Sequence, residues 1–482
     1  MADEGVDRLF EVAEPEVLTA TAPAGAAKTF RSYDQHQSFL LPPSLDDWLP
    51  GGHTARFVSE VVDDMLDLTS IYASYTNATG APPLDPRMML KLVVYAYSIG
   101  VTSSREIERR CQTDVAFRWL SANTAPDYRS LSRFRRRHLT ALDDLFAQVL
   151  VLCANAGLVK LGRVALDGTK LDASASKHTA MSYGRLVTRI PEVEAEVARL
   201  LAEAEAVDAA EDAEFGADRR GDELPVELRT REGRLAKMRE AKAAIEAEAA
   251  QRAAAEAADK AREAGKTDAE IDEAAEAAAD AAEPRSKAQR SFTDPDARMM
   301  KTNHGFGYAY NAQAAADEFS QVIVAGYVTQ SPTDVNQLLP MLERINVTLA
   351  GGGLGTPKRT LADAGYCSTA NIDDAAGTGH DVLVATGRLK HHERVPDAPT
   401  GRIPNDATSR ERMARRLRTK PGRADYARRK AIIEPVFGQM KVKQNAGRLR
   451  LRGLAGAQGE FTLHTICHNL RKLANHTQPA TC

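Results

Sequence analysis

The chain has 482 residues, more than one ordinary domain, and its 43% apolar and 27% charged composition supports buried cores and excludes global disorder. No apolar run reaches the roughly 18–20 residues of a membrane helix, the start Met-Ala-Asp-Glu-Gly carries no secretion signal, and five scattered cysteines lack Cys-x-x-Cys spacing. The expectation is a cytoplasmic protein without membrane span, disulfide framework or zinc knuckle.

The formal net charge of −3 hides a partition. Residues 191–283 hold 27 acidic and 13 basic side chains, whereas 409–452 hold 15 Arg or Lys against Glu411, Asp425 and Glu434, and 101–140 hold nine Arg against four acids. Basic clusters of this kind point to phosphate contacts and nucleic acid, because each neutralised phosphate releases condensed counterions.

In chain order, residues 1–30 are small, acidic and Ala/Pro-rich and read as a loose tail. Residues 48–66 turn helical, and 86–99 read as a buried helix opened by Pro86 in its first turn. Helices follow over 103–111, 114–120 and 130–138, with a turn at Asn123 and Pro126. The last carries Arg133, Arg135, Arg136 and Arg137, as the reading helix of a helix-turn-helix does; a helical bundle whose arginines pair with acids or hold the main domain is the alternative. A further amphipathic helix covers 139–156 and ends at Gly157.

The period then changes. Arg163-Val-Ala-Leu-Asp167-Gly reads as a strand ending at Asp167, 308–316 and 321–329 as a hairpin, and 359–363 and 381–387 as two more strands around a helix at 368–376. A mixed sheet with covering helices follows. Residues 185–283 interrupt it: in 241–283, 21 of 43 residues are alanine among charged residues of strong helix propensity. Gly216 to Pro225 breaks the segment into two arms, the longer (226–264) spanning ~58 Å at helical rise. Thr267-Asp-Ala-Glu270 spells a capping box after Gly265. Because the sheet resumes afterwards, an antiparallel helical hairpin is expected, too acidic to contact DNA.

Three acids stand out by their setting: Asp167 at a strand end, Asp363 before Ala364-Gly365-Tyr366, and Glu434 on a helix over 426–442. Asp172 competes with the first, and Asp373, Asp374 and Asp381 with the second. Two carboxylates at strand ends and a third from a helix suit hard divalent cations such as Mg²⁺ and two-metal phosphoryl transfer. His464 and His468 lack the glutamate of a zincin, and His391-His392 has no ligand partners at metal spacing. Gly351-Gly-Gly-Leu-Gly lacks the Lys-Ser/Thr of a P-loop, so no nucleotide cofactor is expected.

The stretch Tyr426-Ala-Arg-Arg429-Lys-Ala-Ile-Ile-Glu434-Pro-Val-Phe-Gly-Gln-Met-Lys441 resembles the Tyr, Arg, Glu, Lys signature of bacterial insertion-sequence DDE transposases. Four residues rather than three separate Arg429 from Glu434, so Lys430 competes for the arginine position. Leu166-Asp167-Gly-Thr-Lys-Leu-Asp resembles the first aspartate block of that family and Leu361-Ala-Asp363-Ala-Gly-Tyr366 the second. Ser103-Ser-Arg-Glu-Ile-Glu, Phe117-Arg-Trp-Leu and Ser130-Leu-Ser-Arg-Phe-Arg resemble its helical N-terminal domain.

The resemblance implies an RNase H-like α/β catalytic domain (158–184 and 284–475), preceded by an all-α N-terminal DNA-binding domain (31–157), interrupted by the acidic helical hairpin (185–283) and followed by a tail (476–482). It implies that Asp167, Asp363 and Glu434 hold two Mg²⁺ ions, with Mn²⁺ as a substitute, for cleavage at element ends and strand transfer into target DNA. The implied partners are double-stranded DNA, as element end and as target, and a second copy in a synaptic homodimer, in a bacterial, nucleoid-associated setting. Beside the metals, Lys441 can hold a phosphate, Tyr426 and Arg429 can orient the DNA backbone or the terminal nucleotide, and Arg448, Arg450 and Arg452, alternating in an extended stretch, form a DNA rail. A related endonuclease without strand transfer, a domesticated silent DNA-binding protein, and a scaffold organised by the helical arms are the alternatives.

Overall fold

A computed structural model describes residues 44–76, 82–175, 180–215, 226–387, 397 and 400–477. The expected tail over 1–30, the break at 216–225, the His391-His392 pair and residues 478–482 lie outside them. Among the described residues, Leu45–Trp48 (α1) belongs to one unit and those from Leu49 on form a second, compact one.

That unit begins with Thr54–Glu60 (α2), extended by a π-helical turn at Val61–Met65, and Thr69–Ala73 (α3). Pro86–Ser98 (α4) starts where its chemistry dictates: the Asp85 carboxylate accepts from the Arg87 amide, and Pro86 occupies the turn where no amide is needed. Ser104–Thr113 (α5), Val115–Leu120 (α6), Tyr128–Arg137 (α7) and Leu139–Asn155 (α8) follow. In α7 the inward stripe is Leu131, Phe134 and Arg135, at spacings of three and four.

The sheet is built from Arg163–Asp172 (β1) and, after a short Ala180–Ser182 (β2), from later strands. Between them come Tyr183–Phe215 (α9), Val226–Glu263 (α10) and Asp268–Asp280 (α11), then Gln289–Ser291 (β3), which pairs antiparallel with β2. Leu186, Ile190, Val193 and Val197 of α9 pack on Leu235, Met238 and Ile245 of α10 in a core of their own. The Thr267–Glu270 capping box is formed, and Gly265 takes the left-handed φ of +71° that ends α10. Glu248 of α10 holds the base of this arm by pairing with Arg290 and Arg298.

Arg298–Thr302 (β4), Gly305–Asp317 (β5) and Ile323–Thr329 (β6) complete the antiparallel half of the main sheet. Leu338–Gly351 (α12) leads to Arg359–Ala362 (β7), Thr369–Ala375 (α13) and Val382–Val384 (β8). The order is β4-β5-β1-β7-β8, with β6 beside β4 along β5; β7 and β8 run parallel to β1. Ser409–Arg418 (α14), Lys420–Lys443 (α15) and Leu454–Thr477 (α16) close the chain. Tyr97, Phe117, Leu131, Leu150 and Phe461 from the helices and Leu166, Tyr310 and Tyr366 from the sheet side are fully buried in one continuous core.

The first strand departs from its expected end. It does not stop at Asp167 but runs through Gly168 to Asp172, because β5 is long enough to pair with all of it, from Val164 opposite Asp317 to Asp172 opposite Ala309. Strand β4 carried no alternating pattern: of Arg298-Met-Met-Lys-Thr302, only Met300 is buried.

Candidate active site

Parallel pairing sets Val164 against Thr360 and Ala165 against Leu361. Asp167 and Asp363 each lie two residues beyond this last pair, Asp363 just past the end of β7, and the two carboxyls are near enough for the Asp363 charge to act on Asp167. Asp363 follows β7 and caps a 3₁₀ turn, Ala364–Tyr366, accepting from the Gly365 amide at 2.8 Å. Asp167 Oδ1 accepts from the Gly168 amide at 2.8 Å. Burial pushes the Asp167 carboxyl above its ordinary pKa; Arg429 opposes that shift and the Asp363 charge adds to it.

The third element is α15. Its inward face is Asp425, Arg429, Ile432, Ile433, Val436, Phe437 and Met440, and it packs on β1, β5 and β7. Asp425 fixes its start: this buried carboxylate pairs with Arg163 at 2.6 Å and with Arg359, the first residues of β1 and β7, which face each other in the sheet. One contact pair thus locks the helix to both acid-bearing strands.

Arg429, 6% exposed, follows one turn later. Its Nη1 lies 3.2 Å from Asp167 Oδ2 and its Nη2 3.8 Å from Glu434 Oε1. Glu434 stands at the rim, its side chain 54% exposed. Tyr426 is half-buried beside Arg429, and burial raises its hydroxyl pKa. Lys441, two turns beyond Glu434, donates from Nζ to Thr169 Oγ1 at 2.6 Å; burial lowers its pKa while Asp172 opposes. Asp167 and Glu434 therefore meet through the Arg429 guanidinium, Tyr426 lies beside that arginine, Asp363 acts on Asp167 from the end of β7, and Lys441 ties α15 to β1 through Thr169.

Two of the competing acids have partners of their own: Asp381 pairs with Arg359 and Arg416, and Asp373 accepts from the Ser409 hydroxyl. Asp172 stays near the site, its charge acting on Lys441 while its backbone bonds to Gly447 and Leu449. Two groups escaped the sequence reading: Thr169, the partner of Lys441, and Asp334, in the loop after β6. Asp334 has no motif or spacing to mark it. Tyr366 shows how the acids converge: its hydroxyl pKa is driven well above the ordinary value by burial first, then by Asp334, Asp167 and Asp363.

The arginines expected on DNA divide. Arg133, Arg136 and Arg137 are exposed on α7. Arg135 is not: it is 7% exposed and donates to the Tyr97 hydroxyl, the Thr102 carbonyl and the Ser104 hydroxyl, so its place is in the core. Arg429, expected on the DNA backbone, is likewise buried against carboxylates. Arg448, Arg450 and Arg452 are exposed while Leu449 and Leu451 between them are buried. Glu460, itself buried, holds this stretch by accepting from the Arg450 and Leu451 amides at 2.6 and 2.7 Å. His464 and His468 lie buried in α16, His468 Nε2 reaching the Gln321 carbonyl at 2.9 Å.

The site's donors are all carboxylate oxygens, the chemistry of a hard divalent cation, and they already hold one cation, the Arg429 guanidinium. Among the described residues, no three His, Cys, Asp or Glu side chains stand close enough to grip one ion; Arg429 occupies the space between Asp167 and Glu434. The donor set fits a hard divalent cation in kind, with Glu434 on a long, half-exposed side chain.

Comparison with known proteins bears on both halves. A family model described as Transposase domain (DUF772) matches residues 43–137, and one described as Transposase DDE domain matches 282–470. Asp363 and Glu434 lie inside the second match, and Asp167 lies outside both. No curated protein and no solved structure matches the chain. Among the described residues, no helix is long and apolar enough to cross a membrane. DDE transposases act on DNA and use divalent metal ions. With the two matches in this order over a helical region and a mixed sheet, the chain belongs to the insertion-sequence DDE transposases.

Proposed function

We propose that this transposase cuts DNA at the ends of its element and joins the freed 3′ ends to target DNA on an RNase H-like sheet, with Asp167, Asp363 and Glu434 as the metal-holding acids. The observation that carries the reading is the register of two adjacent parallel strands, which sets Asp167 on β1 and Asp363 just past the end of β7 at corresponding positions, with α15 locked over them through Asp425. A six-stranded sheet in which β4, β5, β6 and β1 pair antiparallel and β7 and β8 continue parallel to β1 supports the RNase H-like assignment. Mg²⁺, with Mn²⁺ as a substitute, suits the oxygen donors. Bound there, two divalent ions supply Lewis acidity at the phosphoryl oxygen and lower the pKa of water.

The chain's own residues do the rest. Lys441, held against Thr169 on the strand of Asp167, meets a DNA phosphate next to the acids. Tyr426 orients the terminal nucleotide, and Arg429 neutralises the acids until DNA and metal arrive. Arg448, Arg450 and Arg452 run along the backbone of the element end, with Arg133, Arg136 and Arg137 as a second phosphate-binding face. Residues 31–157 serve as the DNA-binding region, 158–184 with 284–475 as the catalytic one, and 185–283 as an acidic arm turned away from DNA. Two copies pair two element ends, in the bacterial nucleoid.

The test is cleavage of a DNA fragment ending in the flanking inverted repeat, wild type against Glu434→Gln. Nicking and joined products that need Mg²⁺ and vanish in the variant, with DNA binding retained, support the reading. Binding without cutting by either protein, in any metal, leaves a silent DNA-binding protein; cutting without joined products leaves an endonuclease.

A further inference from the structure

The loop after β6, Gln330-Ser-Pro-Thr-Asp334, brings a carboxylate against both acid-bearing segments. Asp334 Oδ1 accepts from Asn311 Nδ2 at 2.7 Å, from Gln313 Nε2 at 2.8 Å and from Lys170 Nζ at 3.3 Å. Asn311 and Gln313 are fully buried on β5, paired in register with Lys170 and Gly168 of β1. An ionised carboxylate is acceptor-only, so it can take three donors without presenting one of its own.

The space around it is built for that contact. A Cβ on Gly168 would lie 2.3 Å from Gln313 Nε2 and 2.8 Å from Asp334 Oδ1, so the residue after Asp167 has to be glycine for the network to close. On the other side, Asp334 Oδ2 lies 3.6 Å from where a Cβ would stand on Gly365, whose amide holds Asp363. Gln313 Oε1 accepts in turn from the Tyr366 hydroxyl, at the end of the Asp363 turn. Asn371 Nδ2 then joins that turn to the Asp334 loop, donating to the carbonyls of Tyr366 and Val335. Strand β1, strand β5, the Asp334 loop and the Asp363 turn thus form one hydrogen-bonded unit.

We propose that Asp334 is a positioning residue of the active site: through Asn311, Gln313 and its packing on Gly168 and Gly365 it fixes the separation of Asp167 and Asp363. The inference rests on the catalytic reading of those two acids. It requires an acceptor oxygen at the place of Oδ1, and the charge is secondary. Asp334→Asn keeps such an oxygen. Asp334→Glu keeps the charge but displaces it by one methylene, and Asp334→Ala removes the acceptor.

The full chain is assayed for cleavage of the inverted-repeat fragment, for binding to that fragment, for Mn²⁺ binding by calorimetry, and for thermal melting. Asp334→Asn is expected within about threefold of wild type in rate and Mn²⁺ affinity. Asp334→Glu and Asp334→Ala are expected to lose about 100-fold in rate, the cost of a misplacement near 1 Å, and to bind Mn²⁺ more weakly with unchanged DNA affinity. If Asp334→Ala does not fold, the Asn and Glu variants decide. Loss in Asp334→Asn as deep as in Asp167→Asn overturns positioning and makes Asp334 a direct ligand. Wild-type behaviour of Asp334→Glu overturns the proposal while leaving the catalytic reading standing. A wild-type chain that neither cuts nor binds Mn²⁺ overturns both.

Discussion

Arg429 Nη1 sits 3.2 Å from Asp167 Oδ2, and the same guanidinium reaches Glu434 Oε1 at 3.8 Å. One buried cation therefore bridges two of the three acids assigned to metal. Arg429→Gln leaves Asp167 buried and uncompensated, which costs about 2–3 kcal/mol of stability in the metal-free chain. Mg²⁺ restores charge balance by another route, so it is expected to raise the melting temperature of the variant more than that of wild type. Thermal melts with and without MgCl₂ give the comparison; equal shifts in both proteins would separate Arg429 from metal binding.

The sequence made the two aspartate blocks and the Glu434 helix legible because each carries a local pattern: an apolar run ending in an acid, or acids and bases at fixed helical spacing. It left Asp334 invisible, since an acid in a Ser-Pro-Thr-Asp loop looks like any solvated turn residue, and only the pairing of β5 with β1 brings Asn311 and Gln313 to it. Asp425 entered the charge balance as one of three acids in a basic segment, yet its partners Arg163 and Arg359 lie 262 and 66 positions upstream. The four arginines of residues 133–137 read alike in the sequence. The helical period, with Leu131 and Phe134 inward, puts Arg135 on the buried stripe.

That division yields different outcomes for adjacent arginines. Arg136→Ala removes an exposed charge and is expected to lower the salt dependence of DNA binding by about one unit of slope, with stability unchanged. Arg135→Ala leaves Tyr97, Thr102 and Ser104 without their buried donor and is expected to cost about 3 kcal/mol in denaturant melts, with the slope retained. A changed slope in Arg135→Ala, with stability intact, would return that residue to the DNA surface.

Asp425 makes a prediction about coupling between folding and site geometry. Its carboxylate, 7% exposed, compensates two arginines at the start of β1 and β7. Asp425→Ala leaves Arg163 with Glu318 and Arg359 with Asp381, and removes the joint between helix and sheet. The expected loss is about 3 kcal/mol in urea melts. Because α15 carries Glu434 and Lys441, cleavage should fall further than the unfolded fraction explains; a loss of activity matching that fraction would confine Asp425 to stability.

The buried histidines of α16 set an acid limit. Burial lowers His464 to about 3 and His468 to about 4, from an ordinary 6.5; the charges of Arg471 and Lys472 reinforce the shift at His468, and its bond to the Gln321 carbonyl opposes it. The folded state keeps both rings neutral where the unfolded chain takes up protons. Their contribution to stability is therefore complete above pH 6.5 and is lost as pH falls toward the folded values. Each ring contributes up to about 1.4 kcal/mol per pH unit across that window. His468→Gln preserves a donor toward the Gln321 carbonyl and removes one titration, so the slope of stability against pH between 6 and 4.5 should drop by roughly that amount relative to wild type. Denaturant melts at four or five pH values measure it, and identical slopes would mean that the His468 ring is already charged in the folded chain.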